Sequence, residues 1–179
     1  MALLPIVLAP DRRLKTVCKP VEQVDDGVRA LLKNMLETMY DAPGIGLAAP
    51  QVGDNRRLIV VDVARDGDEP EPYCMVNPEL RWVSEDVVTM NEGCLSLPDV
   101  FVDVDRPERV RLAYLDENGD EHEIEADGLF ARCIQHEIDH LNGVLFVDHL
   151  SALKRNMLMR KLAKQQAGKK PAKKASAGA

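Results

Sequence analysis

Aromatic residues are scarce in this 179-residue chain, at 4%. That is too few for a platform on which single-stranded nucleic acid stacks its bases, and no sequence-specific nucleic-acid partner is expected. Cysteine is rarer still. Cys18, Cys74, Cys94 and Cys133 stand apart, with no C-x-x-C pair among them. This excludes a disulfide framework and fits thiols used singly in a reducing compartment, so a cytoplasmic location is expected. No uncharged run approaches the roughly 20 residues of a membrane-spanning helix, and no membrane partner is expected. The opening MALLPIVLAP lacks a basic leader and runs straight into Asp11-Arg12-Arg13, so a secretory signal is not expected either. There is no internal repeat. A hydrophobic fraction of 45% and a charged fraction of 30% describe a soluble chain able to bury a real core.

Acidic residues are missing from one region. Residues 151–179 hold nine of the 23 Lys and Arg and no Asp or Glu, which leaves the first 150 residues with 14 basic and 30 acidic side chains, a balance of −16. A cationic end on an acidic body would be steered towards polyanions. The plain alternative is a solvated terminal helix.

The patterning predicts an α+β fold: antiparallel strands packed around a central helix, with an N-terminal and a C-terminal helix. Val28, Leu31, Leu32, Met35, Leu36, Met39 and Tyr40 recur at helical spacing, predicting a helix from Asp25 or Asp26 to about Tyr40. GIGLAAPQVG (44–53) reads as a loop or strand whose backbone something approaches closely. Strands are predicted over Leu58–Val63, Tyr73–Asn77, Leu80–Val83, Val87–Met90 and Val110–Tyr114, with a hairpin turn at Asn118-Gly119 leading into Glu121–Glu125. Helical spacing returns from Leu129 to Asn142, with Gly143 at the C-terminal cap. Ser151 caps a last basic helix over about 151–164. Residues 1–166 are expected to form one domain, and the Lys/Ala-rich stretch 167–179 to be disordered.

His136-Glu137-Ile138-Asp139-His140 is the H-E-x-x-H pattern. On a helix both imidazoles share a face and reach one ion, and Glu137 stands one step round, close enough to take a proton from water. A catalytic divalent metal usually takes a third protein ligand. His122, His149 and the carboxylates are candidates. Cys94, in EGCLSLP (92–98), is the better one, although taken alone a cysteine in such a segment is more often a small core residue.

Three segments, GIGLAAPQ (44–51), EGCLSLP (92–98) and QHEIDHLNG (135–143), together with the opening LPIVLAPDRRLKTVCKPV (4–21), resemble the peptide deformylases in order and separation, over roughly residues 3–150. The resemblance implies a hydrolase that removes the formyl group from formyl-methionine at the start of new proteins. It implies that Cys94, His136 and His140 bind one divalent metal, usually ferrous iron, with zinc, nickel or cobalt able to replace it. It also implies that Glu137 moves the proton while the Gln51 side chain and the Leu95 backbone N–H stabilise the oxyanion. Ile45, Leu129 and Cys133 are candidates for an apolar pocket around the Met side chain, with Gly46 letting the substrate backbone lie close; Arg132 falls among them, lining the pocket or turned away. A thiolate beside ferrous iron would be open to oxidation, so the iron form is expected to lose activity in air. The basic C-terminal helix, with Lys154, Arg155, Arg160, Lys161 and Lys164, could contact ribosomal RNA phosphates where nascent chains emerge.

One position departs from the family pattern. Where many members carry an Arg three residues after the proline of EGCLSLP, this chain has Phe101, and Arg106 is the nearest candidate replacement. Two rivals frame the reading. A zinc metalloprotease shares HExxH but explains neither Cys94 nor Gln51. An inactive metal-bound protein of the ribosome would need neither Glu137 nor Gln51.

Overall fold

The computed structural model describes residues 2–169, and the last ten residues of the expected tail lie outside them. Three helices are present among the described residues: α1 (Asp26–Asp41), α2 (Gly128–Leu141) and α3 (Ala152–Ala167). Seven strands accompany them: β1 (Gly46–Ala48), β2 (Leu58–Val61), β3 (Tyr73–Val83), β4 (Val87–Cys94), β5 (Leu97–Pro107), β6 (Arg109–Leu115) and β7 (Glu121–Asp127). A five-stranded sheet runs in the order β1-β2-β3-β6-β7, and β4 and β5 form a separate two-stranded hairpin; every pairing is antiparallel. The α+β class expected from the patterning is the one observed.

Side-chain alternation explains the layering. In β2 all four residues are buried. Leu58 and Val60 pack with Leu32, Met35 and Met39 of α1, while Ile59 and Val61 pack with Ile134, Ile138 and Leu141 of α2. A strand covered on both faces reads as an unbroken apolar run, which is what LIVV is. Helix α2 is buried almost all round, from Ala131 to Leu141. The sheet covers one side of it, and the β4–β5 hairpin reaches its other side through Arg132 and His136.

Several expectations need correction. Tyr73–Asn77 and Leu80–Val83 are one strand, β3, interrupted by a register shift between Val76 and Glu79. Asn77 there has φ 52°, and its side chain pairs with the Val21 backbone through both an N–H and a C=O. A bulge of this kind looks like a break in the sequence because Asn-Pro is also a turn signal. Strand β5 was not foreseen. Its outward positions Asp99, Phe101, Asp103 and Asp105 are too polar to suggest a strand, yet Asp103 and Asp105 bond Asn91 and Thr89 across the hairpin. GIGLAAPQVG is a short strand, β1, followed by a 3-10 turn over Ala49–Val52. Helix α3 continues past Lys164 to Ala167, so the expected boundary at 166 falls inside it.

Helix α2 ends in a Schellman motif. The Val144 N–H donates to the Asp139 carbonyl and the Gly143 N–H to the His140 carbonyl. Gly143 has φ 72°, and a Cβ there would stand 2.5 Å from the Lys15 carbonyl oxygen. Gly143→Ala therefore adds left-handed strain and a backbone clash at the end of the helix that carries both histidines. We expect a loss of about 1–3 kcal/mol, read as a fall in Tm of about 2–4 °C for each kcal/mol. An unchanged melting curve would contradict this reading of the cap.

Candidate metal centre and active site

Two elements meet at the site. The end of β4 and its turn supply Glu92, Cys94, Leu95 and Ser96, and α2 supplies Arg132, Cys133, His136, Glu137 and His140. The ligand-capable atoms of Cys94, His136 and His140 all lie within 4.8 Å of one another, and the Cys94 Sγ is 3.4 Å from the His140 Nε2. A thiol and two imidazoles gathered in a largely buried corner fit a divalent transition ion, and the donor set suits iron, zinc, nickel and cobalt alike. His122 and His149, considered above as ligands, are elsewhere. His122 stacks on Tyr114 and bonds Asp116, and His149 bonds Asp139.

Glu92 is the functional residue that sequence reasoning passed over, although it opens the EGCLSLP segment. Its carboxylate is only 6% exposed. It accepts from the Arg106 Nε at 2.6 Å, the Arg132 Nη1 at 2.6 Å and the His136 Nδ1 at 3.0 Å. Burial works against its charge, but the hydrogen bonds from His136 and Arg106 outweigh it and hold its carboxyl well below the usual range. A carboxylate only accepts, so His136 Nδ1 carries the proton and Nε2 is the nitrogen left to ligate. Arg106, the candidate replacement for the family arginine, is ruled out by this pairing. It is buried and bridges Glu92 to Asp139. Arg132, undecided from the sequence, lies along the cavity but turns its guanidinium onto Glu92 and the carbonyls of Val88 and Val104.

Gln51 is 1% exposed. Its Oε1 accepts from the Ala48 N–H at 2.9 Å, and this fixes the amide orientation. The Nε2 then faces Ser96 Oγ at 3.1 Å and Cys94 Sγ at 3.6 Å. Glu137 is buried, and its Oε2 has no hydrogen-bond partner among the described residues. Burial pushes its carboxyl up to about 7. A Cβ on Gly46 would meet Glu137 Oε1 at 2.5 Å and Cys133 Sγ at 2.6 Å, so only glycine lets β1 pass this close to the carboxylate. Burial, with Glu137 close by, raises the Cys133 thiol well above its ordinary range, and it bonds the Ile45 carbonyl.

A cavity of about 540 Å³ opens onto these groups, and Ile45, Gly46, Leu95, Leu129 and Cys133 line it together with Gln51, Cys94, His136 and Glu137. Apart from Arg106, every residue proposed from the sequence for catalysis or substrate contact is thus at one cavity; the proposed ligand His140, bonded to Cys94, is not among its lining residues.

Residues 3–156 match the sequence profile of the polypeptide deformylase family. The peptide deformylase of Methylocella silvestris is 56% identical over 167 residues, 92% of this chain and 85% of that protein. That of Phenylobacterium zucineum is 55% identical over 164 residues, 92% of this chain and 97% of its own. The crystal structure of the Ehrlichia chaffeensis peptide deformylase in complex with actinonin superposes with a TM-score of 0.88 at 45% identity, covering 93% of this chain and 99% of that one. The chain belongs to the peptide deformylase family, enzymes that remove the formyl group from protein N-termini.

Proposed function

We propose that this enzyme hydrolyses the formyl amide of formyl-methionyl peptides and new proteins with the help of one divalent ion, ferrous iron first, held by Cys94, His136 and His140. The observation that carries the reading is the meeting of those three donors at the cavity that Glu137 also lines, its Oε2 without a hydrogen-bond partner among the described residues. The ion, when bound, supplies Lewis acidity that makes water a nucleophile near neutral pH. Glu137 takes the proton that the attacking water loses and returns it to the leaving amine. The Gln51 amide, its oxygen already held by Ala48, donates through Nε2 to the formyl oxygen as charge builds there. The Leu95 backbone N–H, in the turn of the β4–β5 hairpin, is the proposed second donor. Ile45, Leu129 and Cys133 enclose the Met side chain, and Gly46, whose missing side chain lets Glu137 and Cys133 come close to β1, lines the same cavity along the substrate backbone. Formate and a free N-terminal amine result.

Protein purified without oxygen and loaded in turn with ferrous iron, nickel and zinc should release formate from a formyl-Met tripeptide, and a chelator should abolish the release. Glu137→Ala should release none while still holding its metal. Gln51→Ala should lower kcat by about 10²- to 10³-fold. Cleavage of unformylated peptides without formate release would instead support the metalloprotease. Glu92→Gln removes the charge that orients His136 and should weaken metal binding by about 10- to 100-fold in competition with a chelator. Unchanged affinity would remove Glu92 from the account.

We also propose that the basic face of α3 contacts the ribosome. Lys154, Arg160, Lys161 and Lys164 are exposed on it, and phosphate contacts of this kind need no sequence reading. Helix α3 is part of the fold: Leu162 is buried, and Leu158 and Met159 pack with it against the N-terminal segment and β5. Truncation would therefore damage the core. Replacing those four residues by Gln should weaken ribosome co-sedimentation in a salt-dependent way, and unchanged co-sedimentation would end the idea.

A further inference from the structure

Tyr40 is the odd member of the α1 stripe. Val28, Leu31, Leu32, Met35, Leu36 and Met39 all join the cluster that packs on β2. Tyr40 is 44% exposed and belongs to no core cluster among the described residues. Its hydroxyl is what is tied down. It donates to Asp62 Oδ2 at 2.5 Å. Partial burial, together with this bond, raises the phenol above its ordinary range, so the proton stays on it.

Asp62 follows β2 and is only 5% exposed. Its carboxylate also accepts from the Ala64 N–H at 2.9 Å and the Glu71 N–H at 3.2 Å, which closes the loop between β2 and β3. Its own N–H donates to the Ile45 carbonyl at 2.9 Å. A buried carboxylate satisfied by neutral donors is sensitive to losing one of them. One wall of the cavity hangs on this tie. Pro43, Gly44 and Ile45 line it, between the end of α1 and the start of β1. A Cβ on Gly44 would lie 2.8 Å from Leu95 Cδ1, so the same wall touches the side chain of the proposed second oxyanion donor. Tyr40 before the span and Ile45 at its end are both anchored on Asp62, one to its side chain and one to its main chain. Neither Tyr40 nor Asp62 lines the cavity itself.

Resting on the deformylase reading, we propose that Tyr40 and Asp62 are positioning residues for the substrate: their hydrogen bond sets the Pro43–Ile45 span against which the first substrate residue packs. A wall fixed in advance spares the substrate the cost of ordering it on binding. Loosening the tie therefore weakens binding of ground state and transition state alike, which raises KM and leaves kcat in place. The pair bonds neither Glu137 nor the three metal-binding candidates, so the metal is held as before.

Tyr40→Phe removes one hydroxyl from a partly exposed ring and is the first variant to test. With iron-loaded protein and a formyl-Met tripeptide, KM should rise about three- to tenfold, the worth of one net hydrogen bond. The same variant should change kcat by less than about twofold and leave zinc affinity, read in competition with a chelator, as in the wild type. Asp62→Asn turns an amide towards donors that need an acceptor and should raise KM at least as far. Adding Tyr40→Phe to Asp62→Asn should cost nothing more, because the two act as a unit. An unchanged KM in Tyr40→Phe, a fall in kcat alone, weakened zinc binding or full additivity in the double variant would each overturn the proposal. If Asp62→Asn does not fold, the KM of Tyr40→Phe decides alone. Calorimetric titration of the unformylated Met tripeptide reads the wall without turnover. Binding weakened by the same factor in Tyr40→Phe supports the proposal even if no formate is released, a result that would sink only the deformylase reading. Equal binding by the wild type and Tyr40→Phe would count against the pair itself.

Discussion

The buried carboxylate of Glu92 is the interaction on which the site depends. A two-stranded hairpin is marginal by itself, and β4–β5 pairs with no strand of the main sheet. Glu92 ties it to α2 through Arg132 and His136, and Arg106 of β5 extends the tie to Asp139. Counting Glu92 and Asp139 against Arg106 and Arg132, the cluster is balanced only while His136 is neutral, the form that ligates metal. Removing one partner would leave buried charge uncompensated, a loss of about 3–5 kcal/mol. The same contact that docks the hairpin therefore positions Cys94 and sets the tautomer of His136.

Close approach is the second constraint. Gly46 brings β1 against Glu137 and Cys133, and the 3-10 turn that follows places Gln51 with its oxygen bound to Ala48 and its nitrogen facing Cys94. Glu137 is thus closed in on the strand side, out of water and with one oxygen free. A buried carboxyl in such a place resists ionisation, which suits the proton transfer proposed for it.

The parts of the molecule that follow a simple period were legible in the sequence. The apolar stripe of α1, the alternation of β6 and the H-E-x-x-H face of α2 all encode their own geometry within one element. What escaped depends on contacts between elements. Asn77-Pro78 looks like a turn, yet β3 continues through it because Asn77 pairs with Val21, 56 residues away in the chain. The outward acidic residues of β5 hide a strand that only the pairing with β4 reveals. Glu92 stood in plain view in the motif, but its role rests on Arg106, Arg132 and His136, none of which is its neighbour in sequence. Arg106 was misjudged for the same reason: a charged residue near a site was taken as free, when burial required a partner.

Zinc K-edge X-ray absorption of the zinc-loaded protein is the most direct test of the centre. The account predicts one sulfur at about 2.3 Å and two imidazole nitrogens at about 2.0–2.1 Å, with the sulfur shell lost in Cys94→Ser. A shell of nitrogen and oxygen alone in the wild type would contradict it.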